Sequence, residues 1–340
     1  MRYYVTGGLG VIGSCFAKSM LIAGHSVTIV DSAEEQRNLW TANQLRKQFG
    51  NKVTIQIKRM ERADLSDARD HDFILHAAAH TGIPHSAQDP TDDWSSNVDA
   101  TRQLLEALRK CKTQVPPMIA LSSVKPYQVK DIPYIMDGKR LIWHVPIVGI
   151  NEQWPLEPDE PYAASKMAQS ALCMAYARTY NLPVTVLRCS NLYGPAPCHG
   201  PRHGWLTWFC ISAVLNREIE IQGTGLQVRD MLYSDDVTSA VLAAGKHIVH
   251  TMGNVYNVGG GHKNSVSVLE AIDMISETVG VKTMHGQGRL NEDMIFITDH
   301  TRFSSVTGWS PTIDVKTGIR SIIQYADDKR DDLRAMYDGV

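Results

Sequence analysis

The sequence predicts an α/β protein built on a Rossmann-like, doubly wound parallel sheet. Short β-rich segments alternate with amphipathic helical segments through the first two-thirds of the chain, and a glycine cluster follows the first predicted strand. From about Pro195 onward the elements become shorter and are separated by glycine and proline. We therefore expect a Rossmann domain over residues 1–190, rejoined by a strand near 230–260, and a smaller, partly discontinuous C-terminal lobe over 191–340.

The predicted elements alternate along the chain. Runs of β-branched and aromatic residues predict strands at 3–5, 27–30, 53–57, 73–76, 118–121, 184–187 and 255–258. Apolar residues at helical spacing predict helices at 11–23, 94–111 and 162–180, the first one closed by Gly24 as its C-cap. Residues 128–161 are aperiodic and contain prolines, so we expect a loop or small subdomain there, close to the site.

Composition and charge narrow the class of protein. The chain has 340 residues, of which 43% are hydrophobic and 21% charged, and its formal net charge is -2, so no nucleic acid partner is expected. No segment reaches the roughly 18 consecutive apolar residues of a membrane span, so no membrane partner is expected either. The N-terminal MRYYV leaves no room for a signal peptide, and the six cysteines form no C-x-x-C pair. These features predict a cytoplasmic protein with reduced thiols.

The glycine cluster TGGLGVIG lies between the first predicted strand and the first predicted helix. Gly7 permits a tight turn, Gly10 lets the backbone approach a pyrophosphate, and Gly13 permits close helix packing. The pyrophosphate then meets the N–H groups of the first helical turn, which includes Val11 and Ile12. Because the strand–turn–helix context is present, the cluster predicts a dinucleotide site.

Asp31 indicates which dinucleotide binds, because it ends the second predicted strand, where a ribose-binding acid belongs. A carboxylate there accepts from the adenosine 2'-hydroxyl and repels a 2'-phosphate, so NAD is favoured over NADP. Arg37 is able to soften that preference, but we interpret it as a solvated helix arginine. Asp64 and Leu65, after the third strand, suit contact with the adenine ring, and Ala78, after the fourth, is expected beside the cofactor.

The segment YAASK places Tyr162 and Lys166 four residues apart, and hence on one face of a helix. The spacing alone is weak evidence, but it opens the helix after the fifth strand in a chain that already carries a dinucleotide motif. Lowering the pKa of tyrosine from near 10 to about 7 requires roughly 4 kcal/mol. An ammonium about 4–5 Å away supplies roughly 3–4 kcal/mol at an effective dielectric constant near 20. We therefore expect Lys166 to acidify Tyr162, with the positive nicotinamide ring adding the remainder.

Tyr162 is then expected to act as a general base on a sugar hydroxyl while a hydride leaves the same carbon for NAD. Lys166 is also expected to hold the nicotinamide ribose. Ser123 ends the fifth predicted strand, and we expect its hydroxyl to bridge the reacting oxygen and Tyr162. His76 and His80 have a metal-like spacing, but they span a strand end and a loop rather than a helix, so no metal site is predicted.

These motifs, together with RCSNLYGP at 188–195, NVDAT at 97–101 and VRD at 228–230, resemble the extended short-chain dehydrogenase/reductase family. The resemblance covers nearly the whole chain and implies a nucleotide-sugar epimerase, dehydratase or decarboxylase with tightly held NAD. Within the family the chain is most similar to the CDP-paratose (CDP-tyvelose) 2-epimerases, through segments such as SSVKPY and GTGLQVRDMLYSDD. The resemblance further implies a homodimer that pairs two helices of each subunit in a four-helix bundle.

The resemblance also implies residues that bind a nucleotide diphosphate-sugar in the C-terminal lobe. Asn191 and Arg229 are expected to face this substrate, and Arg289 to reach a phosphate, for which the planar arginine fork is suited. Lys125, within SSVKPY, is expected at the substrate as well. His85 and Ser86 lie on a loop where they contact the sugar or serve as ordinary loop residues, and the sequence leaves both readings open.

The residues after Ser123 bear on the reaction. In the family, 4,6-dehydratases carry an Asp-Glu pair there as acid and base, whereas this chain has Val124 and Lys125. Decarboxylation is disfavoured similarly, since the glutamate expected for it is missing. Epimerisation through a transient keto sugar is therefore favoured, with some preference for carbon 2 of a CDP-sugar. The alternatives are a UDP-sugar 4-epimerase, for which Asn191 is more typical, an NDP-sugar 4,6-dehydratase, and a catalytically silent NAD-binding sensor.

Overall fold

A computed structural model of the protein describes residues 1–80, 86, 89–197, 200, 204–288 and 292–337. Its strands are β1 Arg2–Thr6, β2 Ser26–Asp31, β3 Val53–Ile57, β4 Phe73–His76, β5 Met118–Ser123, β6 Tyr134–Asp137, β7 Arg140–Trp143, β8 Val184–Cys189, β9 Asn191–Tyr193, β10 Glu218–Gln222, β11 Val228–Tyr233, β12 Val255–Val258, β13 Ser265–Ser267, β14 Lys282–Gly286 and β15 Ile295–Phe296. Seven of them form one parallel sheet in the order β12-β8-β5-β4-β1-β2-β3, which confirms the predicted fold class.

Helices connect these strands and cover the sheet on both faces, as parallel connections require. They span Val11–Ile22, Gln36–Phe49, Pro90–Trp94, Ala100–Arg109, Pro161–Tyr180, Trp205–Val214, Ser234–Lys246, Ile248–Thr251, Val268–Ser276, Thr301–Thr307, Val315–Asp328 and Arg330–Tyr337. None of the helices in these described ranges is both long and apolar enough to cross a membrane. Gly24 adopts a φ of 88° just after the first helix, as expected for a residue that ends it.

The central strands lie in the core because helices pack on both faces of them. Every residue of β4, β5 and β8 is buried, and this explains their continuous apolar runs. Thr6 of β1 pairs with His76 of β4, and Ser123 of β5 pairs with Cys189 of β8. The carboxyl ends of these strands therefore lie along one edge, where ligands bind in folds of this type.

The helix expected at 94–111 begins earlier than the sequence indicated. Asp89 accepts a hydrogen bond from the Thr91 backbone N–H, and Pro90 occupies the first helical turn. A π turn over residues Ser95–Asp99 then joins this short helix to the helix Ala100–Arg109. The sequence placed the start at Trp94 because that is the first apolar residue, whereas the N-cap lies five positions earlier.

The C-terminal lobe has its own sheet and core. Strand β11 pairs with β9, β13 and β15, and a second pair is formed by β10 and β14. Residues 206–214 of the helix Trp205–Val214 are all buried among the apolar side chains of this lobe. Strand β12 returns to the edge of the main sheet beside β8, at the position expected for residues 255–258.

The segment 128–161 contains an antiparallel hairpin of β6 and β7. Leu141 is buried against Val228 and Ile295, so the hairpin packs on the sheet of the C-terminal lobe. The Leu141 backbone N–H also donates to the Leu226 carbonyl at 3.0 Å. This segment is therefore a small subdomain that packs on the C-terminal lobe.

Candidate functional site

A cavity of about 420 Å³ opens at the carboxyl edge of the main sheet. Its wall includes the first turn of the helix Val11–Ile22 and residues from the ends of β1, β2, β4 and β5. Nine of the residues predicted from the sequence line it together, namely Gly7, Gly10, Val11, Ile12, Gly13, Asp31, Ala78, Tyr162 and Lys166. The fold therefore brings the glycine cluster at 6–13 and the YAASK motif at 162–166 to one site.

Close backbone packing explains two of the glycines. Gly7 has a φ of 65°, and a Cβ there would lie 2.6 Å from the Ala78 backbone. A Cβ on Gly13 would lie 2.1 Å from the Gly7 carbonyl oxygen. Side chains at either position would push the loop out of place. The loop thus leaves bare backbone and a helix N-terminus against the cavity, which is an arrangement that binds phosphate.

Asp31 is almost fully buried beside this loop. Its carboxylate accepts hydrogen bonds from the backbone N–H groups of Leu9 and Ala33, each at 2.9 Å. The acid therefore holds the glycine loop against the end of β2 while also lining the cavity. Arg37 is not solvated as expected, because it is only 6% exposed and pairs with Glu35.

The side of the cavity after β3 differs from the prediction. Arg59, Met60 and Glu61 line it, whereas Asp64 and Leu65 do not contribute to the wall. Asp64 is exposed and accepts hydrogen bonds from Ser66, and Leu65 is buried in the hydrophobic core. The cavity wall is thus formed by residues earlier in the chain than expected, around the 3-10 turn Met60–Arg62 that follows β3.

Arg59 lies at the same end of the cavity and is surrounded by acids. Its guanidinium lies 2.8 Å from Glu61, 2.8 Å from Asp92 and 3.5 Å from Glu34. With Arg37 paired to Glu35, both arginines near Asp31 have carboxylate partners. This charge pattern disfavours a 2'-phosphate and agrees with NAD rather than NADP.

Tyr162, Lys166 and Ser123 meet where β5 approaches the helix Pro161–Tyr180, which we call the Tyr162 helix. The Ser123 hydroxyl lies close enough to the Tyr162 phenol to lower its pKa. Lys166 is 3% exposed and its ammonium donates to the Leu121 carbonyl at 3.0 Å. The expected grouping of these three side chains is thus present, with Lys166 anchored to β5.

The electrostatics differ from the expectation for Tyr162. Burial raises the pKa of Tyr162 to about 12, and of its main neighbours only the Ser123 hydroxyl lowers it, since Glu160 and Asp93 both raise it. Burial also lowers the pKa of Lys166 to about 8. The protein's own groups therefore keep the phenol protonated at neutral pH, and Lys166 is not among the main neighbours that shift its pKa.

Ser86 lies behind Tyr162 rather than facing a substrate. It is fully buried, its hydroxyl donates to Asp93, and it accepts a hydrogen bond from the Tyr162 backbone N–H at 2.9 Å. The reading of Ser86 as a sugar contact is corrected, because its hydroxyl already donates one hydrogen bond and accepts another within the protein.

His85 and Arg289 lie outside the described residues.

His80 and Asp93 were not predicted as site residues. His80 lines the cavity, and its Nδ1 lies 2.7 Å from an Asp93 oxygen. Asp93 is 1% exposed. A signal was present in the sequence, since Asp93 and Asn97 are polar residues four apart on a helix face that is otherwise buried, and such groups need partners.

Two cations predicted to face the substrate have acidic partners in the C-terminal lobe. Lys125 lies 2.7 Å from Asp293, and Arg229 lies 3.5 Å from Glu292. Asn191 is partly exposed at the start of β9, next to Leu192, which lines the cavity. None of Lys125, Arg229 and Asn191 lines the cavity itself.

This fold and cavity define a Rossmann protein that binds a dinucleotide. The chain belongs to the NAD dependent epimerase/dehydratase family, whose model matches residues 3–259. The protein is therefore an enzyme of the nucleotide-sugar epimerase/dehydratase type, as the motif resemblance implied. The match includes the glycine loop, Ser123 and the Tyr162 helix.

Individual relatives cover almost the full chain at modest identity. The CDP-paratose 2-epimerase of Salmonella typhi is 26% identical over 336 residues, which cover 96% of this chain and 99% of the relative. A putative UDP-glucose 4-epimerase of Methanocaldococcus jannaschii is 27% identical over 327 residues, covering 94% and 97%. The structure of UDP-glucuronic acid 4-epimerase from Bacillus cereus, in complex with UDP-glucuronic acid and NAD, matches with a TM-score of 0.81 at 24% identity, covering 96% and 99%. This last likeness confirms the fold.

NAD is the cofactor of this family, and the cavity fits it on structural grounds. Because Gly7 and Gly13 have no room for a side chain, the loop presents bare backbone at the position where a pyrophosphate belongs. Asp31 lines the ribose end, and the buried Lys166 lines the other. The residues present are therefore consistent with the predicted cofactor.

Proposed function

We propose that the protein is a nucleotide-sugar epimerase, which inverts a hydroxyl-bearing sugar carbon through a transient keto sugar. The observation that carries the proposal is the cavity that Tyr162, with Ser123 beside its phenol, shares with Lys166 and the glycine loop. Bound NAD supplies a hydride acceptor that later returns the hydride. A catalytically silent sensor would not require this grouping of serine, tyrosine and lysine.

The protein's own groups handle the proton. Ser123 positions the sugar hydroxyl against Tyr162, and Tyr162 takes its proton when the sugar is oxidised and gives it back on reduction. Since the pKa of Tyr162 is raised to about 12 without ligands, this step depends on positive charge near the phenol when the site is filled. Lys166, held by the Leu121 carbonyl, orients the cofactor ribose and contributes part of that charge.

A CDP-sugar epimerised at carbon 2 is the substrate we favour. The full-length similarity to a CDP-paratose 2-epimerase supports this choice, and Arg229, Arg289 and Lys125 are the proposed contacts to the nucleotide sugar. Val124 supports an epimerase over a 4,6-dehydratase, because it is buried in an apolar cluster and brings no carboxylic acid to the position after Ser123. Asn191 is the proposed contact next to the reacting sugar.

A panel of nucleotide sugars tests this proposal. Purified protein is incubated with CDP-, UDP- and GDP-sugars in deuterated water without added NAD, and the products are analysed by NMR. We expect an epimer of one sugar with no deuterium on carbon, because the hydride returns to the carbon it left. No reaction with any member, on protein shown to contain NAD, would refute the proposed function.

Two further functions remain as candidates, each with an observation in its favour. A UDP-sugar 4-epimerase is favoured by Asn191 and by the similarity to a UDP-glucose 4-epimerase. A dehydratase is favoured by Glu160, a partly buried carboxyl two residues before Tyr162 whose pKa is raised by burial. In the same panel the first gives inversion at carbon 4, and the second gives deuterium on a carbon next to the oxidised one.

We also propose the assembly and location that the family resemblance implied. The Tyr162 helix has a stripe of small residues on its outer face, formed by Ala164, Ala168, Ala171 and Ala175, which permits close packing of a second subunit's helix. Residues 1–190 with β12 would form the cofactor domain and most of 191–340 the substrate lobe. A homodimer in the cytoplasm is the expected form, and light scattering that shows a monomer at micromolar concentration would remove the dimer.

A further inference from the structure

A buried carboxylate lies directly behind the proposed base. Asp93 is 1% exposed, and its two oxygens contact different partners, His80 Nδ1 at 2.7 Å and the Ser86 hydroxyl. The Ser86 hydroxyl in turn accepts a hydrogen bond from the backbone N–H of Tyr162, with an N–O distance of 2.9 Å. The chain of contacts therefore runs from the carboxylate through a hydroxyl to the residue that carries the phenol.

The position of Tyr162 in its helix explains why this contact matters. Tyr162 follows Pro161 in the first helical turn, where backbone N–H groups have no partner within the helix. Glu160 occupies the N-cap, but its side chain makes no capping hydrogen bond. Ser86, from a distant part of the chain, thus takes the place of the N-cap acceptor for Tyr162, and Asp93 orients the Ser86 hydroxyl.

A second contact holds the same turn. Asn97 is fully buried, and its side-chain amide donates to the Ser165 hydroxyl at 2.8 Å, while that hydroxyl donates to the Tyr162 carbonyl at 2.8 Å. Asn97 also accepts the His80 backbone N–H at 2.9 Å. A π turn begins at Ser95, between Asp93 and Asn97. Such turns shift the direction in which helical side chains point and are frequent at functional sites.

We propose that Asp93, acting through Ser86, forms a positioning unit that fixes Tyr162 against the cofactor cavity. His80 completes the unit, because it contacts Asp93 on one side and lines the cavity on the other. Asp93 does not touch the cavity's reacting end itself, so its effect on the reaction passes through Tyr162. The inference rests on the proposed function, in which Tyr162 is the base.

Asp93 also affects the pKa values of the titratable groups around it. Asp93 raises the pKa of Tyr162, contributes to the raised pKa of Glu160, and opposes the lowering of the pKa of Lys166. The titratable groups that act on the Tyr162 pKa are thus Glu160, Asp93 and Cys189, with His80 beside Asp93 and Lys166 in the same cavity lining. Removing the Asp93 charge while keeping its shape should therefore lower the pKa of Tyr162, an effect that a purely structural role does not predict.

The test compares Ser86→Ala and Asp93→Asn with the wild-type holoenzyme. Ser86→Ala should lower kcat about 100-fold, since it releases the first turn and misplaces the phenol, while KM and bound NAD change by less than about twofold. Ser86→Thr restores the hydroxyl and should recover most of kcat. Asp93→Asn should also lower kcat, and should move the Tyr162 titration, read as phenolate absorbance against the matching Tyr162→Phe background, to lower pH.

Asp99→Asn is the matched control, because Asp99 lies on the same helical segment but is 43% exposed in a surface pair with Arg102. It should leave kcat and the titration unchanged. An unchanged kcat in Ser86→Ala, or an unchanged Tyr162 titration in a folded Asp93→Asn, would overturn the proposal. If the wild type converts no nucleotide sugar, the proposed function fails, whereas the Tyr162 titration still decides whether Asp93 acts on the phenol.

Discussion

The Lys125 ammonium lies 2.7 Å from an Asp293 carboxylate oxygen and so joins the end of β5 to the C-terminal lobe across 168 residues of chain. Arg229 is held in a similar way by Glu292, at 3.5 Å. Both cations are proposed substrate contacts, and their acidic partners are consecutive residues. A nucleotide sugar that binds these cations must therefore compete with carboxylates of the protein itself.

This competition predicts opposite effects for the two members of the Lys125–Asp293 pair. Asp293→Asn should lower KM about fivefold, because it frees the ammonium for the substrate, and fivefold corresponds to about 1 kcal/mol. Lys125→Gln should raise KM by a similar factor. Steady-state kinetics measure both, with Lys130→Gln, in a peripheral pair with Asp159, as the control. A rise in KM for both variants would show that the pair serves structure rather than binding.

Tyr162→Phe removes the proposed base with little change in shape. We expect kcat to fall by about 10²–10⁴-fold, the range typical of a lost general base, while NAD remains bound. Turnover and the NAD content of the purified variant are the measurements. Tyr134→Phe, on the exposed hairpin and 43% exposed, is the control. Near-normal turnover in Tyr162→Phe would contradict the assignment.

Lys166→Met is predicted to raise stability while abolishing turnover. Burial lowers the pKa of Lys166 to about 8, so from pH 8 to about 10.5 the unfolded chain binds the proton that the folded chain has released. Stability rises with pH across that window, and the full cost of the buried ammonium is present below it. At pH 7 the variant should gain about 1–3 kcal/mol in free energy of unfolding.

Urea unfolding at pH 7 and pH 10, on protein freed of NAD, measures this difference. The advantage of Lys166→Met should shrink at the higher pH, because the wild-type lysine is then neutral in the folded state. Lys110→Met, at an exposed position, should show no such pH dependence. A variant that is less stable than wild type at pH 7 would mean that the hydrogen bond to Leu121 outweighs burial.

Asp230 is predicted to make stability depend on pH in the opposite sense. It is fully buried, and burial raises its pKa to about 6 although the Gly261 backbone N–H donates a hydrogen bond to its carboxylate. At pH values between its ordinary pKa of 3.8 and about 6, the folded state binds a proton that the unfolded state has released. The contribution of this group to stability is therefore lost as pH rises through that window.

Asp230→Asn should therefore be more stable than wild type by up to about 3 kcal/mol at pH 8 and show no gain near pH 4. Melting temperatures between pH 4 and pH 8 check the trend. Asp273→Asn, an exposed acid in a surface pair with Lys139, is the control and should give a flat difference. A constant difference for Asp230→Asn at all pH values would contradict the prediction.

Much of the fold was predictable because its signals are local. The seven strands of the main sheet lie within one or two residues of their predicted bounds, and the glycine loop and YAASK motif line the predicted cavity. Alternation of apolar residues and turn-forming glycines reports on near neighbours in the chain, which is sufficient for elements of this length. The start at Pro90 was missed because capping by Asp89 depends on loop geometry rather than on periodicity.

The site was less predictable where loop conformation and burial determine which residues line the cavity and what their pKa values are. The wall after β3 is formed by Arg59, Met60 and Glu61 because a tight turn shifts the chain away from Asp64. Ser86 turned out to support Tyr162 from behind, a role set by the distant residues Asp93 and Tyr162. The pKa of Tyr162 depends on how deeply it is buried, and spacing in the sequence does not report burial of that kind.

Local sequence is thus sufficient for the fold class, the dinucleotide loop and the helix that carries Tyr162 and Lys166, because each follows from spacing within about twenty residues. Only the tertiary structure decided which groups surround those two side chains. The pairing of Lys125 with Asp293 and the contact of Asp93 with Ser86 depend on how segments meet in space. The burial and the pKa values of the site residues depend on many such contacts, so they are determined only once the chain has folded.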